Sequence, residues 1–261
     1  MTSVAVIPAR YASTRFPGKP LAEIAGRPMI EHVYRRAADA PGIDAVVVAT
    51  DDERVASAVE RFGGIARMTG SHHRTGMDRI AEVARDLHCS IVVNVQGDEP
   101  LVDPSAISLM IDALRGDADL QMATLRTPIR LEEDYASPHV VKVVVGGNGD
   151  ALYFSRAPIP FHRGGPPADL PRQGGIYAYK HLGLYAYRRE FLIRLAALPQ
   201  TALEQAEALE QLRALEHGHR IRAVETEHDS IGVDTPADLE RVRQTIAETP
   251  AFRLKAEATP M

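Results

Sequence analysis

Short runs of β-branched and small apolar residues alternate with helix-period segments through the first 115 residues, and this alternation restricts the chain to very few folds. The strand-like runs are 4–8, 45–49, 65–68 and 91–95. Between them, 28–40 carries Met29, Ile30, Val33, Tyr34 and Ala37 on one stripe, and 52–62 carries Val55, Ala58, Val59 and Phe62. Segments 76–87 and 104–115 have the same helical spacing. Boundary residues agree: Pro28 at a helix start, Pro41-Gly42 and Gly63-Gly64 at helix ends, and Asp51 or Asp103 as N-caps. Repeated strand-then-helix order predicts an α/β fold with a mostly parallel central sheet flanked by helices on both faces. Its ligand site then lies at the carboxyl ends of the strands, where residues 9–19, 50–52 and 96–100 fall together.

After residue 120 the pattern changes. The run 140–145, the turn Gly146-Gly147-Asn148-Gly149 and the run 151–155 read as a β-hairpin. A Gly/Pro-rich stretch from Arg163 to Gly175 has no periodicity and reads as a mobile loop. Residues 179–187 alternate with period two, which puts Tyr179, His181, Gly183, Tyr185 and Tyr187 on one face, expected to be wet or ligand-lined. A helix is expected over 203–217 on Leu203, Ala206, Leu209, Leu212 and Leu215, followed by a strand near 220–226. Gly232-Val233-Asp234-Thr235-Pro236 then caps a last helix to about 247. Residues 1–247 are thus expected to form one domain, with 139–190 as a hairpin region inside it and 248–261 as a tail.

With 45% hydrophobic and 25% charged residues among 261, the chain has the composition of an ordinary globular protein. Its net charge of −5 and few aromatics argue against nucleic acid as a partner. No stretch approaches the about 18 uninterrupted apolar residues of a membrane span, and no basic leader is visible, so no membrane partner and a cytoplasmic location are expected. The single cysteine, Cys89, rules out an internal disulfide and a cysteine-built metal site, and is expected to be a small buried hydrophobe.

Positive charge is concentrated where the first strand ends. Residues 1–36 hold six Lys/Arg against two Glu, and Arg10, Arg15 and Lys19 share a loop with Ser13, Thr14, Pro17 and Gly18. Guanidinium forks and a mobile ammonium on a constrained loop suit a phosphate chain. Asp98, after the strand 91–95, and Asp234 could hold Mg²⁺ beside a triphosphate, since that ion takes one or two carboxylates plus phosphate oxygens. Both positions equally suit ordinary turn or cap residues. Neither a P-loop nor a G-x-G-x-x-G fingerprint is present.

The segment Ile7-Pro8-Ala9-Arg10-Tyr11-Ala12-Ser13-Thr14-Arg15-Phe16-Pro17-Gly18-Lys19-Pro20-Leu21 resembles the signature of the 3-deoxy-manno-octulosonate (Kdo) cytidylyltransferases, also called CMP-Kdo synthetases. So do Ala49-Thr50-Asp51-Asp52, 93–100, 151–156, Lys180-His181-Leu182-Gly183, 209–213 and 232–236, in the family's order over about residues 3 to 245. The resemblance implies a single-domain fold of the nucleotide-diphospho-sugar transferase type that works as a homodimer, with 139–190 contributing to dimerisation. It implies the reaction of CTP with Kdo to give CMP-Kdo and diphosphate, with Mg²⁺ as cofactor, before Kdo enters lipopolysaccharide. By position, Arg10, Lys19 and Asp98 are implied as catalytic. Ala9, Arg10, Ser13, Arg15, Lys19, Thr75, Gly76 and Asp98 would bind nucleotide, and Asp98 and Asp234 the metal. Arg79, Gln96, His181, Tyr185, Glu210 and Gln211 would line the sugar-acid site, with Arg79 meeting the carboxylate.

One segment departs from the family pattern, His-x-Ser-Gly-Thr followed by an acid and Arg. Here it reads His73-Arg74-Thr75-Gly76-Met77-Asp78-Arg79, and Met77 supplies no hydrogen bond where a threonine could. The expectation is that Met77 packs beneath the base while backbone groups read it, and that His72 is a surface residue. Two rival readings stay open: another sugar acid as substrate, an 8-amino Kdo or a sialic acid, and a nucleotide-binding homologue that does not catalyse.

Overall fold

The computed structural model describes residues 1–12, 16–73, 75–163, 176–249 and 252. In chain order its elements are β1 (Ser3–Ala9), β2 (Glu23–Ile24), β3 (Arg27–Pro28), α1 (Met29–Ala38), β4 (Ala45–Thr50), α2 (Glu53–Arg61), β5 (Ala66–Met68), α3 (Gly76–Arg85), β6 (Ile91–Asn94) and α4 (Pro104–Gly116). There follow β7 (Met122–Ile129), α5 (Glu132–Ala136), β8 (Lys142–Val145), β9 (Ala151–Ser155), β10 (Ala178–Arg188), α6 (Arg189–Ala197), α7 (Ala202–Glu207), α8 (Leu212–Glu216), β11 (Ile221–Glu225) and α9 (Pro236–Glu248). The fold is mixed α/β, with a mostly parallel central sheet flanked by helices, as the alternation of runs predicts. The chain divides into two compact units.

One unit comprises 4–83, 94–105 and 230–261. In it β4 lies parallel between β1 and β5, with Val6 opposite Val47 and Ala9 opposite Thr50. β1 and β4 are buried and apolar on both sides, the usual condition of inner strands of a parallel sheet, while β5 exposes Arg67 and Met68. The last helix is fixed by its apolar side: Leu239, Val242 and Ile246 pack with Ile24, Met29, Leu101 and Val233 in one cluster. Each such side chain contributes about 1.5–3 kcal/mol on burial, enough to hold 230–248 firmly beside the 98–101 turn. Phe252 joins this cluster, with the Arg36 guanidinium 5.0 Å from its ring centre.

The other unit comprises 1–3, 84–93 and 106–229, and orders its strands β11-β7-β10-β6. β11 runs parallel to β7 and β10 antiparallel to it, while β8 and β9 form the expected hairpin on β10. Gly149, in its turn, has φ +81°, a conformation a side chain would oppose. Among the described residues, no helix is long and apolar enough to cross a membrane.

Several local expectations are corrected. The N-cap of α2 is Asp52, whose carboxylate accepts from Arg54 N–H at 2.9 Å, and not Asp51. Asp103 does cap α4, accepting from Ser105 N–H at 2.9 Å. The helix expected over 203–217 is two short helices, α7 and α8, broken where Ala208 adopts φ +52°. The break follows from a buried ion pair: Arg213 Nε donates to Glu204 Oε2 at 2.8 Å, with both side chains 3% exposed. Leucine spacing alone does not register so local a demand. Cys89 is half-buried, and burial pushes its thiol up to about 11. All but Arg163 of the 163–175 stretch, and all of 250–261 except Phe252, lie outside the described residues.

Candidate active site

The site in the first unit starts with a close approach of two backbones. Val95 N–H donates to Val6 O at 3.2 Å, and two residues later a Cβ on Gly97 would stand 2.7 Å from Pro8 O. Only glycine fits there, so the chain leaving β6 runs hard against the end of β1. This is what brings the Asp98 turn to the cationic loop. Gly18, at φ +75°, donates its N–H to Tyr11 O at 2.9 Å and directs Lys19 back toward that turn.

Lys19 Nζ donates to Asp98 Oδ2 at 2.7 Å and to Asp234 Oδ1 at 3.4 Å. The two acidic turns are joined by backbone as well, Val233 N–H donating to Asp98 O at 2.8 Å. Asp234 is not the cap of α9. Thr235 is, in a capping box with Asp238, while the Asp234 carboxylate accepts from Lys19. The chemistry of this donor set fits Mg²⁺: two hard carboxylates face one shared cation position, where an ammonium already stands.

Arg10, just past β1, donates through Nη2 to the carbonyls of His73 at 2.5 Å and Thr75 at 3.4 Å. The guanidinium therefore ties the loop after β1 to the segment before α3. Thr75 caps α3, its hydroxyl accepting from Asp78 N–H at 3.1 Å. Gly76 lies over Pro8, where an added Cβ would be 3.5 Å from Cγ. Met77 is 2% exposed and belongs to the core, while His72 is on the surface. Ala9 closes β1, buried opposite Thr50. Ser13 and Arg15 lie outside the described residues.

Arg79 is fully buried, with Nη2 donating to Asp51 Oδ2 at 2.8 Å and Nη1 to Thr69 Oγ1. Its Nε has no partner among the described residues. Sequence reasoning gave Asp51 to a helix cap and missed this pair. Gln96 is half-buried at the exit of β6, and its carbonyl accepts from Glu99 N–H at 3.2 Å.

The second unit holds the other expected sugar-acid residues. In β10 two extra residues are inserted between Leu182 and Tyr185, which face consecutive residues of β7, Leu125 and Thr124. An even insertion preserves side, so His181 and Tyr185 still share a face, with ring centres 5.4 Å apart. The face is more enclosed than period-two alternation suggested. Phe154 packs its ring 4.8 Å from His181, and Tyr187 stacks 5.8 Å from Tyr185. Thr124, which sequence reasoning also missed, gives its hydroxyl hydrogen to the bulged Leu184 O at 2.7 Å and lies 2.9 Å from His181 Nε2. Thr124 thereby links the ring to the bulged backbone. Burial pushes the His181 pKa down to about 3 and the Tyr185 and Tyr187 hydroxyls well above their ordinary range. All three rings are neutral donors or acceptors at neutral pH.

Glu210 and Gln211 do not lie on an exposed helix face. They sit in the break between α7 and α8, where Gln211 is 3% exposed and its Nε2 has no partner among the described residues. A buried amide hydrogen left without an acceptor costs about 1–3 kcal/mol, which a ligand oxygen would recover.

A family model described as cytidylyltransferase matches residues 4–221, and that is the class of this protein. The 3-deoxy-manno-octulosonate cytidylyltransferase of Pelobacter propionicus is 56% identical over 248 residues, covering 94% of this chain and 97% of that protein. The protein of the same name from Geobacter sulfurreducens is 56% identical over 250 residues, covering 94% and 100%. A solved structure of CMP:2-keto-3-deoxy-manno-octonic acid synthetase complexed with CTP superimposes with a TM-score of 0.87 at 46% identity, covering 95% of this chain and 99% of that one. The chain belongs to the 3-deoxy-manno-octulosonate cytidylyltransferase family.

Proposed function

We propose that this protein transfers the cytidylyl group of CTP to Kdo, releasing diphosphate and forming CMP-Kdo for lipopolysaccharide synthesis, with Mg²⁺ held by Asp98 and Asp234. The observation that carries this reading is the gathering of Lys19, Asp98 and Asp234 at the exit of β1, in a chain 56% identical to a Kdo cytidylyltransferase along 94% of its length. Both substrates are anions, so repulsion is the first barrier, and the cations of the loop lower it.

In this reading Arg10, Arg15 and Lys19 bind the triphosphate, with Ala9, Ser13, Thr75 and Gly76 beside the nucleotide. Arg10 spends Nη2 on the carbonyls of His73 and Thr75, which holds the base-side segment in place. A bound Mg²⁺ would neutralise charge on the phosphates and favour in-line attack by the sugar hydroxyl. His181, Tyr185, Glu210, Gln211, Arg79 and Gln96 are assigned to the sugar acid by the family resemblance alone. The neutral His181 and the Gln211 amide suit hydroxyls, not charge. Arg79 already pairs with Asp51, and its Nε, without a partner among the described residues, is a donor for a carboxylate. We place the protein in the cytoplasm as a homodimer.

The test is diphosphate release from CTP, UTP and ATP, each with and without Kdo. The reading requires release that depends on both CTP and Kdo. Comparable turnover on a sialic acid would reassign the sugar, and tight CTP binding without release would make the protein a non-catalytic homologue.

A further inference from the structure

Lys19 occupies the position that the two carboxylates would offer to a metal ion. Its ammonium bridges Asp98 and Asp234 at 2.7 and 3.4 Å, and its side chain, 14% exposed, is more enclosed than theirs at 34% and 52%. We propose, building on the metal assignment above, that Lys19 is the counter-ion of the Asp98–Asp234 pair in the nucleotide-free protein and that a divalent cation enters by displacing it. A Mg²⁺ about 2.1 Å from Asp98 Oδ2 and Asp234 Oδ1 would overlap the ammonium that contacts the same two oxygens at 2.7 and 3.4 Å, and the two cations repel.

What draws Lys19 away is the nucleotide. A triphosphate offers several anionic oxygens near the exit of β1, and the four-carbon lysine stem can swing to them without backbone movement. The carboxylates released by that swing become available to the metal. Metal and nucleotide then bind cooperatively, and linkage requires each to raise the other's affinity by the same factor. The ammonium also offsets part of the charge of two neighbouring carboxylates when no nucleotide is present, which limits their mutual repulsion.

The experiment is direct binding of Mn²⁺, followed by electron paramagnetic resonance, to the full chain with and without a non-hydrolysable CTP analogue. Lys19→Gln and Lys19→Met should each raise Mn²⁺ affinity of the nucleotide-free protein by about tenfold, a modest gain because the site is partly exposed. Adding Asp98→Asn to either variant should cancel the gain. Unchanged or weaker Mn²⁺ binding by both folded Lys19 variants overturns the exchange, while loss of analogue-dependent Mn²⁺ binding in Asp98→Asn alone would leave the metal assignment standing. Analogue-dependent Mn²⁺ binding that ignores Asp98→Asn overturns the assignment and the exchange together. A wild-type measurement is independent of variant folding: crystals containing Mn²⁺ and the analogue should show the ion between Asp98 and Asp234 with Lys19 on the phosphates. Lys19 still bonded to Asp98 beside a bound ion would overturn the proposal.

Discussion

Lys19 Nζ donates to Asp98 Oδ2 at 2.7 Å, and this one bond joins residues 79 positions apart at the exits of β1 and β6. It sets the two halves of the proposed chemistry, cation for phosphate and carboxylate for metal, in one place. Asp98→Asn keeps the volume and a weaker acceptor for Lys19 but removes the charge. Kdo-dependent diphosphate release should fall by about a hundredfold or more with an unchanged circular dichroism spectrum, because the proposed metal positioning of the phosphoryl centre is lost.

Arg10 spans from the end of β1 to the carbonyls of His73 and Thr75. Arg10→Ala removes a proposed phosphate ligand and that tie at once. The KM for CTP should rise by about tenfold or more, charge-assisted bonds being among the strong ones. Cleavage by a protease within 70–75 should accelerate, an effect that loss of a phosphate contact alone would not produce.

Met77 is buried, so restoring the hydroxyl common at this place in the family should not sharpen base choice. Met77→Thr removes apolar volume and buries a hydroxyl. A loss of about 2–4 kcal/mol in urea unfolding is expected, with the CTP-to-UTP preference unchanged.

Glu204 and Arg213 form a fully enclosed pair that sets the break carrying Glu210 and Gln211. Glu204→Gln leaves the guanidinium buried without its counter-charge. Stability should fall by about 3–5 kcal/mol, and the KM for the sugar acid should rise more than that for CTP.

His181 is buried and neutral, with its folded pKa near 3 against an ordinary value of 6.5. Between these values the unfolded chain binds a proton that the native protein does not. Stability therefore drops as pH falls through 6.5, by at most about 1.4 kcal/mol per pH unit, and the drop ends near pH 3. Phe154, Tyr185 and Thr124 surround the ring, none of them charged at these pH values. His181→Gln should flatten the fall in melting temperature between pH 7 and 5. His32 and His219 are lowered in the same sense, so the comparison with wild type isolates the His181 share.

Much was legible in the chain itself. Alternating apolar periods located β1, β4, β6 and the helices between them because those patterns come from local geometry: period two in strands, 3.6 in helices. The concentration of Arg10 and Lys19 after β1, and of Asp98 after β6, was readable because strand ends of a parallel sheet lie on one edge. Tertiary packing decided the rest. Asp51 went to Arg79 and not to a helix cap, since a buried guanidinium must find a charge and the neighbouring Asp52 could cap in its place. The 203–217 stripe broke at Ala208 because the Glu204–Arg213 pair outweighed leucine spacing. Which acid Lys19 meets depends on Gly97 pressing against Pro8 and on α9 packing against Ile24 and Met29, contacts between segments far apart in the chain that no local pattern encodes.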